Sequence, residues 1–174
     1  MNKIEHKISL KIKVLRFLWN ITHFFLIKFS PRPFHIWRFL ILKLFGADIH
    51  YTSIVYPSVK IWAPWNLVMK KKSCLGDNVD CYNVGKIFIG ENSIISQYSF
   101  LCTATKDNST GSLSSKLFAA PITVGENSWV AADVFIAPGV KIGNNVIITA
   151  RCSIFESIDD NTKVKTDQKL LLVK

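Results

Sequence analysis

The sequence is poor in the residues that mark several common classes of protein. It contains only 8 Gly, 6 Pro and 4 Cys in 174 residues, which excludes a collagen-like or low-complexity chain. Only 20% of the residues are charged while 49% are hydrophobic, so an intrinsically disordered chain is also excluded. The four cysteines form no CxxC pair and are too few for a disulfide framework at this length. We therefore expect one folded domain in a reducing compartment, the cytoplasm.

Acidic residues are almost absent from the N-terminal quarter of the chain. Residues 1–46 hold nine Lys and Arg against a single acid, Glu5, which is a net charge of +8, and the other 128 residues carry only +2. The basic character therefore belongs to the N-terminal segment, and the rest of the chain is close to neutral. A nucleic-acid-binding surface on the main body is not expected on this distribution.

No uncharged apolar run is long enough to cross a bilayer. The longest, residues 17–27, has eleven residues, whereas a spanning helix needs about 20. No small-residue cleavage site follows it, so a signal peptide is not expected either. Two alternatives remain for residues 1–46. The segment either makes peripheral contact with an anionic membrane at its inner face, or it packs on its own domain or on a partner subunit.

Two helical segments are expected within this N-terminal region. The first covers residues 8–29, and Pro31 and Pro33 end it because proline cannot continue a helix. The second covers residues 34–45, with Gly46 as a natural C-terminal stop.

From residue 49 onward, aliphatic side chains recur every six positions. A period of six fits neither an amphipathic helix nor a stack of hairpins, and it is typical of a β-solenoid. Three six-residue repeats close one triangular coil, so fifteen repeats predict about five coils. The repeating positions are Ile49, Val55, Ile61, Leu67, Leu75, Cys81, Ile89, Ile95, Leu101, Val124, Val130, Ile136, Ile142, Ile148 and Ile154.

Three interruptions break the period. Residues 73–74 and 87–88 are expected to be short excursions, and residues 107–121 a longer polar loop. A solenoid that loops out once in mid-body usually does so for function, and the alternative is a tolerated surface insertion. The expected organisation is a helical segment at 1–46, a solenoid at 47–160 and a tail at 161–174.

Several stretches outside the repeat pattern resemble one enzyme family. The repeats resemble those of the hexapeptide acyltransferases, and the other stretches favour the colanic-acid-type and the maltose- and galactoside-type O-acetyltransferases within that class. These stretches are Ser30-Pro31-Arg32-Pro33-Phe34, Trp37-Arg38, Leu44-Phe45-Gly46-Ala47, Tyr82-Asn83, Ile95-Ser96-Gln97, Leu101-Cys102-Thr103-Ala104-Thr105, Pro121-Ile122, Trp129 and Pro138-Gly139-Val140.

The resemblance implies an all-β solenoid, a left-handed parallel β-helix preceded by N-terminal helices. It also implies a homotrimer with active sites between neighbouring subunits and acetyl-CoA in a groove along the C-terminal coils. A histidine of the family acts as general base on a sugar hydroxyl, which attacks the thioester without a covalent intermediate. A base with a pKa near 7 lowers that barrier most.

The residues carried over from the family fall into three groups. The catalytic positions are Lys106, where the family has its histidine, and Asp107, and the substrate-binding positions are Asn83 and Trp129. The cofactor-binding positions are Ala132, Ala150, Phe155 and Glu156. Trp129 has a second interpretation, because a lone tryptophan on a solenoid face also suits trimer packing.

The chain departs from the family at the position of the base. Its motif reads Thr103-Ala104-Thr105-Lys106-Asp107, and all four histidines precede residue 51. A lysine base would need its pKa lowered from about 10.4 to near 7. Relatives that hold zinc on this fold use three histidines, and this solenoid has too few, so no metal is expected.

Two functions from different classes follow. The first is an acetyl-CoA-dependent O-acetyltransferase acting on a sugar or a lipid-linked glycan in surface polysaccharide biosynthesis. The second is a catalytically inactive β-helix trimer that binds a glycan or a partner protein, which Lys106 and Glu156 favour because each differs from the family's residue.

Overall fold

The computed structural model describes residues 9–106 and 117–165 together with the backbone of residues 4–5. Asp107 and most of the expected loop at 107–121 lie outside the described residues, as does the tail beyond residue 165.

Two helices precede the solenoid, as predicted. After the short strand β1 (Ile4–Glu5), helix α1 (Leu10–Thr22) begins at Ser9, whose hydroxyl accepts a hydrogen bond from the backbone N–H of Ile12 at 3.3 Å. A π-helical turn (His23–Ile27) continues α1, and helix α2 (His35–Leu44) follows the proline-containing break. Gly46 ends α2 with a φ of 85°, a left-handed conformation that glycine adopts without strain.

The remaining strands wind into five triangular coils and the start of a sixth. The strands of the first three coils are β2 (Asp48–Ile49), β3 (Ile54–Val55), β4 (Lys60–Ile61), β5 (Leu67–Met69), β6 (Cys74–Leu75), β7 (Asp80–Tyr82), β8 (Ile87–Ile89), β9 (Ile94–Ile95) and β10 (Phe100–Cys102). The chain then leaves the solenoid as β11 (Ala104–Lys106) and returns as β12 (Leu117–Ala119). The later strands are β13 (Ile122–Val124), β14 (Trp129–Val130), β15 (Phe135–Ile136), β16 (Lys141–Ile142), β17 (Ile147–Ile148), β18 (Ser153–Ile154) and β19 (Lys163–Val164).

Three parallel sheets form the faces of the prism. Face 1 contains β2, β5, β8, β13 and β16, face 2 contains β3, β6, β9, β14, β17 and β19, and face 3 contains β4, β7, β10, β15 and β18. Identical positions of successive coils pair in register, so each face stacks one buried ladder of side chains. Ile136, Ile142 and Ile148 come from three different faces and share one core, which confirms the predicted solenoid.

The strand register corrects the placing of the two short excursions. Ile49 pairs with Met69 and Met69 with Ile89, so Met69 rather than Leu67 occupies the repeating position. The additional residues of both coils lie between face 3 and face 1, around residues 62–66 and 82–86, and not at 73–74 and 87–88. Both Leu67 and Met69 are buried, which is why the hydrophobic pattern alone did not distinguish them.

The long excursion leaves the solenoid at the same corner. Strands β11 and β12 pair antiparallel, and β1 adds to the outer side of β12. The excursion therefore begins at residue 104, before the expected start at residue 107, and its two ends, 104–106 and 117–119, pair as a small sheet. Three successive coils thus carry their extra residues at one place, which we call the face 3/1 corner.

The N-terminal helices pack on the first two coils. Trp19 and Ile27 are 1% exposed, and the Trp19 indole nitrogen donates to the carbonyl of Ile61 at 2.6 Å. Arg38 is also buried, and its guanidinium donates to the carbonyls of Val55, Pro31 and Arg32. One side of the helical segment therefore belongs to the core of the domain, as one of the two expected alternatives stated.

Candidate functional site

The face 3/1 corner is held together by side-chain hydrogen bonds to the backbone. Asn83 is fully buried, and its amide group donates to the carbonyl of Ala63 at 2.6 Å and accepts from the Ala63 N–H at 2.9 Å. Thr103 donates to the carbonyl of Tyr82 and accepts from the N–H of Gly85. In one subunit Asn83 therefore positions the backbone of the corner, and its contact with a substrate stays a prediction.

The small sheet of the long excursion rests on its own apolar cluster. Val84, Ala104 and Ala119 are buried there, and Trp62 and Tyr82 pack against them from the solenoid. Lys106 is the last residue of β11, opposite Leu117, and its side chain is exposed. This cluster sets the position of Lys106 relative to the solenoid, whatever chemistry Lys106 performs.

Three of the predicted residues line one groove along the edge between face 2 and face 3. Trp129, Ala132 and Ala150 form its walls together with the backbone of β14 and β17. The indole nitrogen of Trp129 donates to the hydroxyl of Ser96 at 2.9 Å, and half of the side chain stays exposed. Ala132 and Ala150 project only a methyl group, so a long, thin ligand can lie close to the coil wall.

Phe155 and Glu156 lie beyond the end of β18 and do not line this groove. The Phe155 ring is 70% exposed and packs on Phe135 at a centroid distance of 5.6 Å. Their contact with a cofactor therefore stays a prediction, since neither side chain lines the groove beside Ala132 and Ala150.

The predicted site residues thus form two separate groups within one chain. Asn83 and Lys106 belong to the face 3/1 corner, whereas Trp129, Ala132 and Ala150 belong to the edge between faces 2 and 3.

A further cavity, which the sequence reasoning missed, lies between α1 and the first two coils. It encloses about 720 Å³ and we call it the helix pocket. Its walls include Arg16 and His23 from the helices and Lys60, Trp62 and Tyr82 from face 3. The sequence does place residues 16, 19, 20 and 23 on one face of a helix. It does not indicate which strands of the solenoid that face packs against.

Arg16 and His23 are both held in place in the helix pocket. The Arg16 guanidinium stacks on the Trp62 ring at 3.9 Å from its centroid, and its Nε is buried with no hydrogen-bond partner within the described part of the chain. His23 Nε2 lies 2.8 Å from the carbonyl oxygen of Val59, so Nε2 carries the proton. Burial lowers the pKa of His23, with a smaller contribution from Lys28, against the effect of the Val59 hydrogen bond.

Other charged groups line the same pocket. Lys60 lies 3.9 Å from Asp80, and burial raises the pKa of Asp80 while Lys60 opposes that shift. Burial also lowers the pKa of Arg16, and Tyr82 opposes it. The pocket thus combines two aromatic rings with an excess of positive charge.

Over residues 9–106 and 117–165, no three His, Cys, Asp or Glu side chains are grouped so that they could hold a metal ion. None of the helices in this part of the chain has the length and apolar character that crossing a membrane requires.

Comparison with known proteins gives consistent matches. Residues 121–155 match the family "Bacterial transferase hexapeptide (six repeats)". The chain is 41% identical over 144 residues to the "Putative colanic acid biosynthesis acetyltransferase WcaF" of Escherichia coli K12, covering 83% of this chain and 78% of that protein.

Two solved structures share the fold. A maltose O-acetyltransferase from Clostridium difficile 630 has a TM-score of 0.80 at 22% identity, over 89% of this chain and 83% of that one. A hexapeptide-repeat acetyltransferase from Vibrio cholerae O1 biovar eltor, complexed with acetyl coenzyme A, has a TM-score of 0.79 at 20% identity, over 89% and 84%. Both confirm the left-handed β-helix.

Proposed function

Because the chain belongs to the hexapeptide-repeat acetyltransferases, we propose that it transfers an acetyl group from acetyl-CoA to a sugar hydroxyl in surface polysaccharide biosynthesis. The observation that carries this proposal is the groove of Trp129, Ala132 and Ala150, together with the 41% identity to a relative named for colanic acid biosynthesis. The acceptor would be a free sugar or a lipid-linked glycan.

The groove fits the elongated pantetheine arm of acetyl-CoA. Small side chains at Ala132 and Ala150 leave room against the coil wall, and Trp129 closes the neighbouring side. Acetyl-CoA supplies the activated acyl group when bound. Arg151 at the end of the groove lies 3.7 Å from Asp133 and is 75% exposed, which makes it a candidate partner for a phosphate group of the ligand.

The reaction needs a group that removes the proton of the acceptor hydroxyl. The acceptor oxygen attacks the thioester carbonyl, the carbon–sulfur bond breaks, and the proton passes by way of the base to the departing thiol. We assign that place to Lys106, at the end of the small sheet, with Asp107 beside it in sequence. Asn83 holds the corner backbone against which the acceptor would lie.

We further propose that the active unit is a homotrimer. The corner group and the groove group lie apart in one subunit, so a site that uses both forms between subunits. Outward-facing apolar side chains on face 2, among them Ile94 and Ile147, supply the packing surface that such an assembly requires.

Peripheral membrane contact through residues 1–46 is also proposed. The outer side of the helices exposes Phe17, Phe25, Phe29, Phe34 and Leu44, and the chain has no acid between residues 9 and 47. Aromatic and basic residues on one surface suit the headgroup region of an anionic bilayer. Such contact would place the protein at the inner face of the membrane.

One observation favours the second candidate, an inactive trimer that binds a glycan or a partner protein. Lys106 stands where the family has its histidine, and its side chain is exposed at the end of β11. A positioned base typically contributes a factor of about 10²–10⁴ to the rate, so losing it would leave a binding protein.

Thiol release from acetyl-CoA with a panel of sugars tests the two candidates. For a weakened enzyme, Lys106→His should raise turnover at least about tenfold, because a base with a pKa near 6.5 replaces the lysine. For an enzyme that uses Lys106, Lys106→Ala should abolish the activity of the wild type. The matched control is Lys141→Ala, an exposed lysine on face 1, away from the corner. No activity in the wild type or in Lys106→His would favour the binding protein.

A further inference from the structure

The helix pocket carries more positive charge than a neutral sugar requires. Arg16, Lys28 and Lys60 line it, Asp80 is the one carboxylate among the described residues of its lining, and His23 is neutral at pH 7 because burial lowers its pKa. The lining therefore has a net charge of about +2. Pockets of this volume commonly hold small ligands, and an excess of two positive charges matches the charge of about −1.5 to −2 on a phosphate monoester at pH 7.

Arg16 has the geometry of a prepared anion ligand. Its guanidinium plane is fixed by stacking on Trp62 at 3.9 Å, so binding would cost it little conformational freedom. Its Nε is buried and lacks a hydrogen-bond partner among the residues described here, so the terminal nitrogens are the donors that Arg16 can offer to an anion in the pocket. A planar guanidinium often binds phosphate or carboxylate oxygens through two parallel hydrogen bonds.

The pocket adjoins the proposed reactive corner. Its walls Trp62 and Tyr82 also pack against Ala104 and Ala119 at the base of the small sheet that carries Lys106. Asn83 follows Tyr82 directly in the chain. A ligand in the helix pocket therefore contacts the same two aromatic rings on which the base of this sheet rests.

We propose that the helix pocket binds a phosphate-bearing saccharide, and that such a sugar phosphate is the acceptor class of the acetyl transfer proposed above, on which the second half of this inference rests. Arg16 holds the phosphate, Lys28 and Lys60 add charge, and the sugar lies toward Tyr82. A hexuronate, which carries a single negative charge, is the competing anionic acceptor and would leave much of the positive charge unmatched.

Isothermal titration calorimetry of sugars with the full chain tests whether the helix pocket binds a sugar phosphate, and it does not depend on catalysis. Galactose, galactose 1-phosphate and galacturonate, and the corresponding glucose compounds, serve as probes. The expected result is binding of the 1-phosphates at least about tenfold tighter than binding of the free sugars or the uronates. Equal binding of free sugar and 1-phosphate, or no binding of either 1-phosphate at millimolar concentration, would overturn the proposal.

Variants assign any binding to the pocket. Arg16→Gln should weaken binding of the 1-phosphates at least about tenfold, since a charge-assisted hydrogen bond to phosphate is lost. Lys13→Gln is the matched control, because Lys13 is an exposed cation of α1 that does not line the pocket. Should Arg16→Gln fail to fold, the double variant Lys28→Gln/Lys60→Gln replaces it. An equal effect of Lys13→Gln and the pocket variants would contradict the assignment.

Thiol release separates this inference from the proposed function. If sugar 1-phosphates bind through Arg16 but no acetyl transfer occurs, the proposed ligand of the helix pocket is supported and the proposed enzymatic activity is contradicted. If free sugars and sugar 1-phosphates are acetylated with equal kcat/KM, the enzymatic proposal stands and the acceptor class is wrong. If the 1-phosphates are acetylated in preference to the free sugars, and Arg16→Gln removes that preference by raising KM rather than lowering kcat, both the enzymatic activity and the acceptor class are supported.

Discussion

Single buried polar side chains join the helical segment to the solenoid. Arg38 donates from Nε to the carbonyl of Val55 at 2.7 Å and from its terminal nitrogens to the carbonyls of Pro31 and Arg32 at 2.8 and 2.6 Å. His23 reaches the carbonyl of Val59 in the same way. Val55 and Val59 belong to the first coil, whose carbonyls have no earlier coil to donate to them, so the two side chains take the place of that missing layer.

Replacing Arg38 by Leu should cost at least about 3 kcal/mol of unfolding free energy. The leucine cannot donate, so the carbonyls of Val55, Pro31 and Arg32 would be left without those donors in a buried site. Urea unfolding at a fixed protein concentration measures the change. The control is Arg32→Gln, which removes an exposed ion pair with Asp77 and should cost less than about 1 kcal/mol. Similar losses in both variants would contradict the role given to Arg38.

Stability should fall on acidification from pH 7.5 to pH 5.5, partly because of His23. Burial lowers its pKa in the folded state, so below about pH 6.5 the unfolded chain binds a proton that the folded chain does not. The free energy of unfolding therefore decreases as the pH falls toward the folded pKa. His23→Gln, which keeps a donor for Val59 without titrating, should show a smaller decrease in the urea midpoint. An unchanged pH dependence in this variant would refute the explanation.

The residues at the corners of the prism limit how closely successive coils can stack. Gly90 lies where the backbone of the next coil passes beside it, and a Cβ atom built on Gly90 would collide with the carbonyl group of Gly125. Gly85 lies at the face 3/1 corner, just before β8. A Cβ atom built on Gly85 would lie 3.4 Å from the backbone of Ala120, which is an ordinary contact. Two glycines that look alike in the sequence therefore meet different surroundings.

The variant Gly90→Ala should lose about 1–3 kcal/mol of unfolding free energy, because the stacked coils must separate to admit the methyl group. Gly85→Ala is the matched control and should stay within about 0.5 kcal/mol of the wild type. Urea unfolding of both proteins measures the difference. A neutral Gly90→Ala would show that the corners tolerate more than the stacking implies.

The outer side of the helices should bind anionic vesicles. Phosphatidylglycerol vesicles should retain the protein at low salt and release much of it at about 1 M salt, where the Debye length falls to about 3 Å. Phe25→Ser/Phe29→Ser should lower the bound fraction about tenfold, since two exposed rings no longer enter the interface. The control Tyr51→Ser changes an aromatic residue of the first coil that is 63% exposed. Equal losses in both would argue against docking through the helices.

Removing residues 1–30 would be a poor test of membrane binding. Trp19 and Ile27 form part of the core, so the truncation would expose the first coil as well as delete the proposed contact. The paired substitutions avoid that difficulty because Phe25 and Phe29 lie on the solvent side, 66% and 67% exposed.

The outer surface of face 2 carries a strip of apolar side chains. Ile54, Ile94, Trp129 and Ile147 point outward on the first, third, fourth and fifth coils and are 37–50% exposed, and Cys74 takes this position on the second coil. Aromatic rings extend the apolar surface onto face 3, where Phe100, Phe135 and Phe155 stack. Two adjacent apolar faces suit a closed ring in which face 2 of one subunit meets face 3 of the next.

Sedimentation equilibrium should therefore report a trimer at micromolar concentration. Ile94→Lys/Ile147→Lys should shift the protein toward monomer, because each lysine places a charge within the apolar strip. Thr123→Lys, an outward position on face 1, is the control and should leave the trimer intact. A monomeric wild type would contradict both the assembly and the shared active site.

The period of six was enough to predict the solenoid. Stacked coils repeat the same contact at the same position, so a local pattern carries the architecture, and Ile136, Ile142 and Ile148 lie in the core as predicted. The helix boundaries near Pro31 and Gly46 follow equally from local backbone preferences.

The strand register across the interruptions and the residues that line the pockets could not be predicted from the sequence, and they became clear from the three-dimensional structure. Leu67 and Met69 satisfy the hydrophobic pattern equally, and pairing with Ile49 and Ile87 settles which position each occupies. The helix pocket joins Arg16 to Trp62 over 46 positions of chain, and Asn83 points inward to Ala63. Such contacts depend on where a non-repeating segment docks against the solenoid, and that docking follows from side-chain packing between distant segments, which no local periodicity encodes.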